Sequence, residues 1–120
     1  MGTYQNRIAA TLEEIGENLK TIFKDQPIPK YAIDKELKLK GYSLGSILAS
    51  DYCYNLINKA SYSCVYPLFE WVKKGNYYYL GPNYKYNGDI YWKPKGSKIQ
   101  KVGFWKDGIC NLSFDPRKNR

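Results

Sequence analysis

The 120-residue chain contains no histidine, one methionine and three cysteines. Without histidine it lacks the commonest general base near neutral pH and the commonest metal ligand. Cys53, Cys64 and Cys110 have no zinc-knuckle spacing, and an odd number of cysteines without an export signal argues for reduced thiols in the cytoplasm. Glu13, Glu14 and Glu17 interrupt the apolar residues between Met1 and Phe23, so no secretory signal is expected, and no run has the length of a membrane span. Acids are also scarce in the second half. Asp51, Glu70, Asp89, Asp107 and Asp115 are its five acidic side chains. Glu70 and Asp89 with Lys93 have the residue types of a metal-dependent nuclease, but nothing in their spacing fixes a geometry. No catalytic residue, cofactor or metal site is expected.

What the chain has in excess is positive charge and tyrosine. Nineteen Lys+Arg against 11 Asp+Glu give a net charge of +8. Residues 1–50 hold 7 basic and 6 acidic side chains, so the 12 basic and 5 acidic side chains of residues 51–120 carry nearly all of the excess. A polyanion gains affinity for such a surface by releasing counterions. A hydrophobic fraction of 43% in a chain of this length suits one modest core, so a single domain over 1–120 is expected.

Ile8, Leu12, Ile15, Leu19 and Ile22 recur at intervals of four and three, which predicts one helix despite Gly16. Pro27 and Pro29 end it, and a second helix starts near Pro29, with Tyr31, Ile33 and Leu37 inward and Gly41 as its stop. A third helix is predicted over residues 50–58, with Ser50 as N-cap and Cys53, Leu56 and Ile57 inward. Phe69 to Val72 and Tyr77 to Leu80 flank Lys73-Lys74-Gly75-Asn76 as a hairpin. Asp89 to Lys93 forms a short strand ended by Pro94. A last hairpin joins Ile99 to Trp105 with Ile109 to Phe114 through Lys106-Asp107-Gly108, a type I′ signal.

The order of helices followed by Phe69-Glu70-Trp71-Val72-Lys73-Lys74-Gly75-Asn76-Tyr77 resembles the winged helix-turn-helix domains of bacteria. It is similar to DNA-binding modules of some restriction endonucleases and to uncharacterised prokaryotic proteins. The resemblance implies an α+β, winged helix-like fold with three N-terminal helices followed by antiparallel β-hairpins. Residues 5–80 form its core, 81–114 a β-hairpin extension and 115–120 a frayed basic tail. It implies a cytoplasmic, non-catalytic nucleic-acid-binding protein, with DNA preferred over RNA and no membrane partner. Tyr54, Asn55, Asn58 and Lys59 on the reading helix would meet the major groove, Lys73, Lys74 and Asn76 at the wing tip would meet phosphates or the minor groove, and Lys93 and Lys95 would extend the positive surface.

Two further expectations stand beside it. Tyr77, Tyr78, Tyr79, Tyr84, Tyr86, Tyr91 and Trp92 interleave with Lys73, Lys74, Lys85, Lys93 and Lys95, the mixture that binds unpaired bases, although about half of such rings belong to a core. The alternative is a phage or mobile-element factor that binds a host defence protein complex, anchored by Trp71, Trp92 and Trp105.

Overall fold

A computed structural model describes residues 3–24, 26–43, 47–57, 66–73, 75–92, 96 and 98–112. The predicted first helix is α1, Thr3–Phe23, and its stripe buries Ile8, Leu12, Ile15 and Leu19. Ile22, one turn further, is 68% exposed, so the stripe ends before the helix does. The second helix, α2, spans Lys30–Leu39 and buries Ala32, Ile33 and Leu37. Tyr31 is exposed, contrary to its expected inward place. Gly41 has φ +94°, the left-handed conformation expected of the residue that stops a helix. Lys40 Nζ reaches Glu14 Oε1 at 3.0 Å and ties the end of α2 to α1.

Among the described residues, seven strands follow or flank the helices in two sheets. The first has the order β1–β4–β3, with β1 Ile28–Pro29, β3 Phe69–Lys73 and β4 Asn76–Tyr79, all antiparallel. The second has the order β2–β5–β6–β7, with β2 Leu56–Ile57, β5 Gly88–Trp92, β6 Gln100–Lys106 and β7 Ile109–Leu112. Only β2 to β5 is parallel there. The predicted hairpins at 69–79 and 100–112 are therefore present. Gly75 turns the first at φ +74°, and Asp107 and Gly108 turn the second at φ +50° and +81°, the pair of positive values a type I′ turn requires.

The winged-helix prediction is overturned. The described residues contain two α-helices, and the segment expected to be the third holds a 3-10 turn, Ala49–Tyr52, followed by extended chain. Tyr52, Cys53, Tyr54, Leu56 and Ile57 are all buried, and such a near-continuous run needs apolar surroundings on both sides, which one helix face against a core does not provide. Ser, Asn and Asp in the same stretch also compete with helical hydrogen bonding. The wing signature marks a hairpin equally well, and this hairpin is not a projecting wing. Asn76 pairs with Pro29, and the Lys30 N–H donates to Gly75 O at 2.8 Å, so its turn is joined to the start of α2.

Residues 53–57 connect the two sheets. Cys53 forms a parallel bridge with Phe69, and the Tyr54 N–H donates to Phe69 O at 2.8 Å. The Asn55 side chain then donates to Trp71 O and accepts from Trp71 N–H, both at 2.8 Å, as a neighbouring strand would. Its own carbonyl accepts from the Tyr91 N–H at 3.0 Å, and β2 continues into the second sheet. One core lies between the helices and the first sheet, including Leu12, Ile15, Ile33, Phe69, Tyr77 and Tyr79. A second, built from Tyr54, Ile57, Tyr86, Ile90, Val102 and Trp105, lies against the other sheet.

Candidate functional site

Of the described residues expected to meet DNA, Tyr54 and Asn55 are taken up inside the fold. Tyr54 is 1% exposed, and Asn55 spends both ends of its amide on Trp71. Lys73 is exposed at the end of β3, while Asn76 is half-buried in β4. Asn58, Lys59, Lys74, Lys93 and Lys95 lie outside the described residues, as do Cys64 and the tail 115–120. Trp105 is buried, and Trp71 and Trp92 are half-buried. Glu70 accepts from the Tyr86 hydroxyl at 2.6 Å, and Asp89 pairs with Lys101 at 3.2 Å, so each of these acids already serves within the fold. Cys110 is disulfide-bonded, which corrects the reading of three reduced thiols, and Cys53 is a buried thiol. Burial, with Asp51 and Glu70 adding, pushes its pKa well up and keeps it unreactive.

The structure forms two hollows beside α1 that share Tyr84, together referred to as the groove. Ala9 and Glu13 stand on one side of a cleft of about 460 Å³ whose other walls are Tyr66, Pro67 and Leu68, the 82–84 turn and residues 108–110. Its floor is Tyr54 and Trp105. Further along, Lys20 near the end of the helix and Lys24 just beyond it border a hollow of about 400 Å³ with Gln26, Tyr78, Tyr79 and Leu80. Tyr84 lines both. A helical rise of about 1.5 Å per residue puts Glu13 and Lys20 roughly 10 Å apart along the axis.

The turn that presents Tyr84 follows from Gly81-Pro82-Asn83. Proline fixes the first central residue of a turn, and Asn83 takes φ +61°, the sign a type II turn needs at its second. Tyr54 holds the turn from below. Its hydroxyl donates to Gly81 O at 2.6 Å and accepts from the Tyr84 N–H at 2.9 Å. Tyr86 stacks on it at 5.2 Å, and Trp105 meets it edge-on at 5.1 Å while donating Nε1–H to Tyr54 O at 2.7 Å. The Tyr84 ring approaches Tyr54 edge-on at 6.2 Å yet remains 47% exposed.

These contacts leave an aromatic end and a cationic end. Among the described residues, Lys20 and Lys24 have no ion-pair partner, and neither does Glu13. Tyr79 is 4% exposed in the cationic hollow, and its hydroxyl has no hydrogen-bond partner among the described residues. Burial, with Glu17 and Glu13 adding, pushes its pKa up, so it stays a protonated donor. Glu17 stands near that hydroxyl but outside hydrogen-bond geometry.

Of the interleaved aromatics, Tyr77, Tyr79 and Tyr86 are core, Tyr78, Tyr91 and Trp92 are half-buried, and Tyr84 is exposed. Tyr84 was thus visible in the sequence. Glu13, Lys20, Lys24 and Tyr66 were missed. The available signal was the helical spacing of Ala9, Glu13 and Lys20, which share one face flanking the apolar stripe.

A family model described as a domain of unknown function (DUF7225) matches residues 7–112. The chain is 39% identical over 102 residues to the uncharacterized protein YnaC of Bacillus subtilis (strain 168), covering 83% of this chain and 38% of that protein. It therefore spans less than half the length of that curated relative. No solved structure matches. No helix among the described residues is long and apolar enough to cross a membrane.

Proposed function

The chain belongs to the DUF7225 family, and we propose that it is a non-catalytic protein that binds unpaired nucleic-acid strands in the groove along α1. The observation that carries this reading is the position of Tyr84, an exposed ring between an aromatic cleft and a lysine-bordered hollow. An unpaired strand offers both complements at short spacing. Its bases stack on exposed rings, a contact that contributes about 1–3 kcal/mol per base, and its phosphates attract unpaired lysines.

The described structure supplies no helix for a major groove in the expected place, which favours an unpaired strand over a duplex. The groove also has an acid, Glu13, at one end, unlike the uniformly positive surface that follows a duplex backbone. Replacing Lys20 and Lys24 together with alanine tests the reading through its salt dependence. Each phosphate contact on a single strand contributes about 0.7 to the slope of log K against log salt. The double variant should lower that slope by about 1.4. An unchanged slope and affinity would contradict the proposal.

A further inference from the structure

We infer that the Glu13 end of the groove selects guanine among the bases of the bound strand. The inference rests on the reading of the groove as a site for unpaired strands and names the base it prefers. The floor of the cleft has no polar group to spare. The Tyr54 hydroxyl is engaged by Gly81 and Tyr84, and the Tyr54 carbonyl receives the indole N–H of Trp105. The floor therefore offers ring surface and no discrimination between bases.

Beside the polar Tyr66 and Asn83, the charged side chain lining the cleft is Glu13, a half-buried carboxylate that has no hydrogen-bond or ion-pair partner among the described residues. An ionised carboxylate accepts and does not donate, and its two oxygens suit two parallel N–H donors. Guanine presents that pair on its Watson–Crick edge, the ring N1–H beside the exocyclic N2 amino group. Adenine and cytosine present one amino group beside an acceptor nitrogen, which faces the second carboxylate oxygen unfavourably. Uracil and thymine present one N–H between two carbonyl oxygens. A volume of about 460 Å³ is in the range of clefts that hold small planar ligands. With the base at Glu13, the strand's phosphates run toward Lys20 and Lys24.

The test uses the whole chain and a set of uridine strands with one central position varied among guanosine, inosine, adenosine, cytidine and uridine, titrated by fluorescence anisotropy. Guanosine should bind tightest. Inosine, which keeps the ring N–H and lacks the amino group, should bind about tenfold more weakly, the size expected of one hydrogen bond to a charged group. Glu13→Gln should bring guanosine and inosine together, while the all-uridine strand binds no more weakly than to wild type, because the change removes a negative charge from the groove. Equal affinity for every base, or a guanosine preference unchanged in Glu13→Gln, would overturn this inference and leave the groove standing. Failure of every strand to bind would overturn both.

Discussion

A methyl group added at Gly16 would stand 2.1 Å from the ring of Tyr79. Mid-helix glycine ordinarily weakens a helix by up to about 1 kcal/mol relative to alanine. Here the missing side chain lets β4 lie against α1, and Tyr79 occupies the space a Cβ would take. Gly16→Ala should therefore destabilise the protein by about 1–3 kcal/mol, the usual size of core overpacking. Urea unfolding measures it, and a stabilised variant would contradict the packing.

Asn55 holds the edge of β3 through Trp71 rather than facing a groove. Asn55→Ala leaves the Trp71 N–H and C=O without those partners, and the expected loss is about 1–3 kcal/mol. Thermal unfolding should show it. Binding of an unpaired strand, measured where the variant is fully folded, should stay at the wild-type value, because Asn55 makes no part of the groove. A selective loss of affinity at unchanged stability would return Asn55 to the ligand.

Much of the fold was written in local pattern. The α1 stripe, the Gly41 stop and the Asp107-Gly108 turn each depend on a few adjacent residues, and each appears where expected. The helix expected over residues 50–58 failed because the burial of its described part, 50–57, is decided by two sheets that come together from distant parts of the chain. The period of Cys53, Leu56 and Ile57 fits a helix face, yet Tyr52 and Tyr54 are buried between them. The site was half visible for the same reason. Tyr84 follows a turn marked by Gly81-Pro82-Asn83, whereas Glu13 and Lys20 acquire meaning only when the turn lies along α1.

Alkaline pH should unfold the protein through its buried tyrosines. Burial pushes the Tyr77 pKa up from 10.0 to about 12, with Cys53 adding, and it raises those of Tyr79 and Tyr86. A folded-state pKa above the unfolded value means that the folded protein holds the proton more tightly. The associated stability is full below pH 10 and falls as pH rises through the folded value. For Tyr77 the window is about pH 10 to 12, on the order of 2–3 kcal/mol at its end. Tyrosinate absorbance should rise in two stages, exposed rings first and the buried ones with unfolding. A single transition near pH 10 with the fold intact would contradict this.

Tyr84→Ala removes the ring shared by the two hollows while leaving the backbone N–H that the Tyr54 hydroxyl receives. The most direct test of the groove is fluorescence-anisotropy titration of wild type and this variant with single strands and duplexes of equal length, each at low and near-physiological salt. The account predicts that wild type prefers the single strand and that Tyr84→Ala loses about 1–3 kcal/mol of that binding, the contribution of one stacked base. Duplex preference in the wild type, or single-strand binding that Tyr84→Ala leaves unchanged, would contradict it.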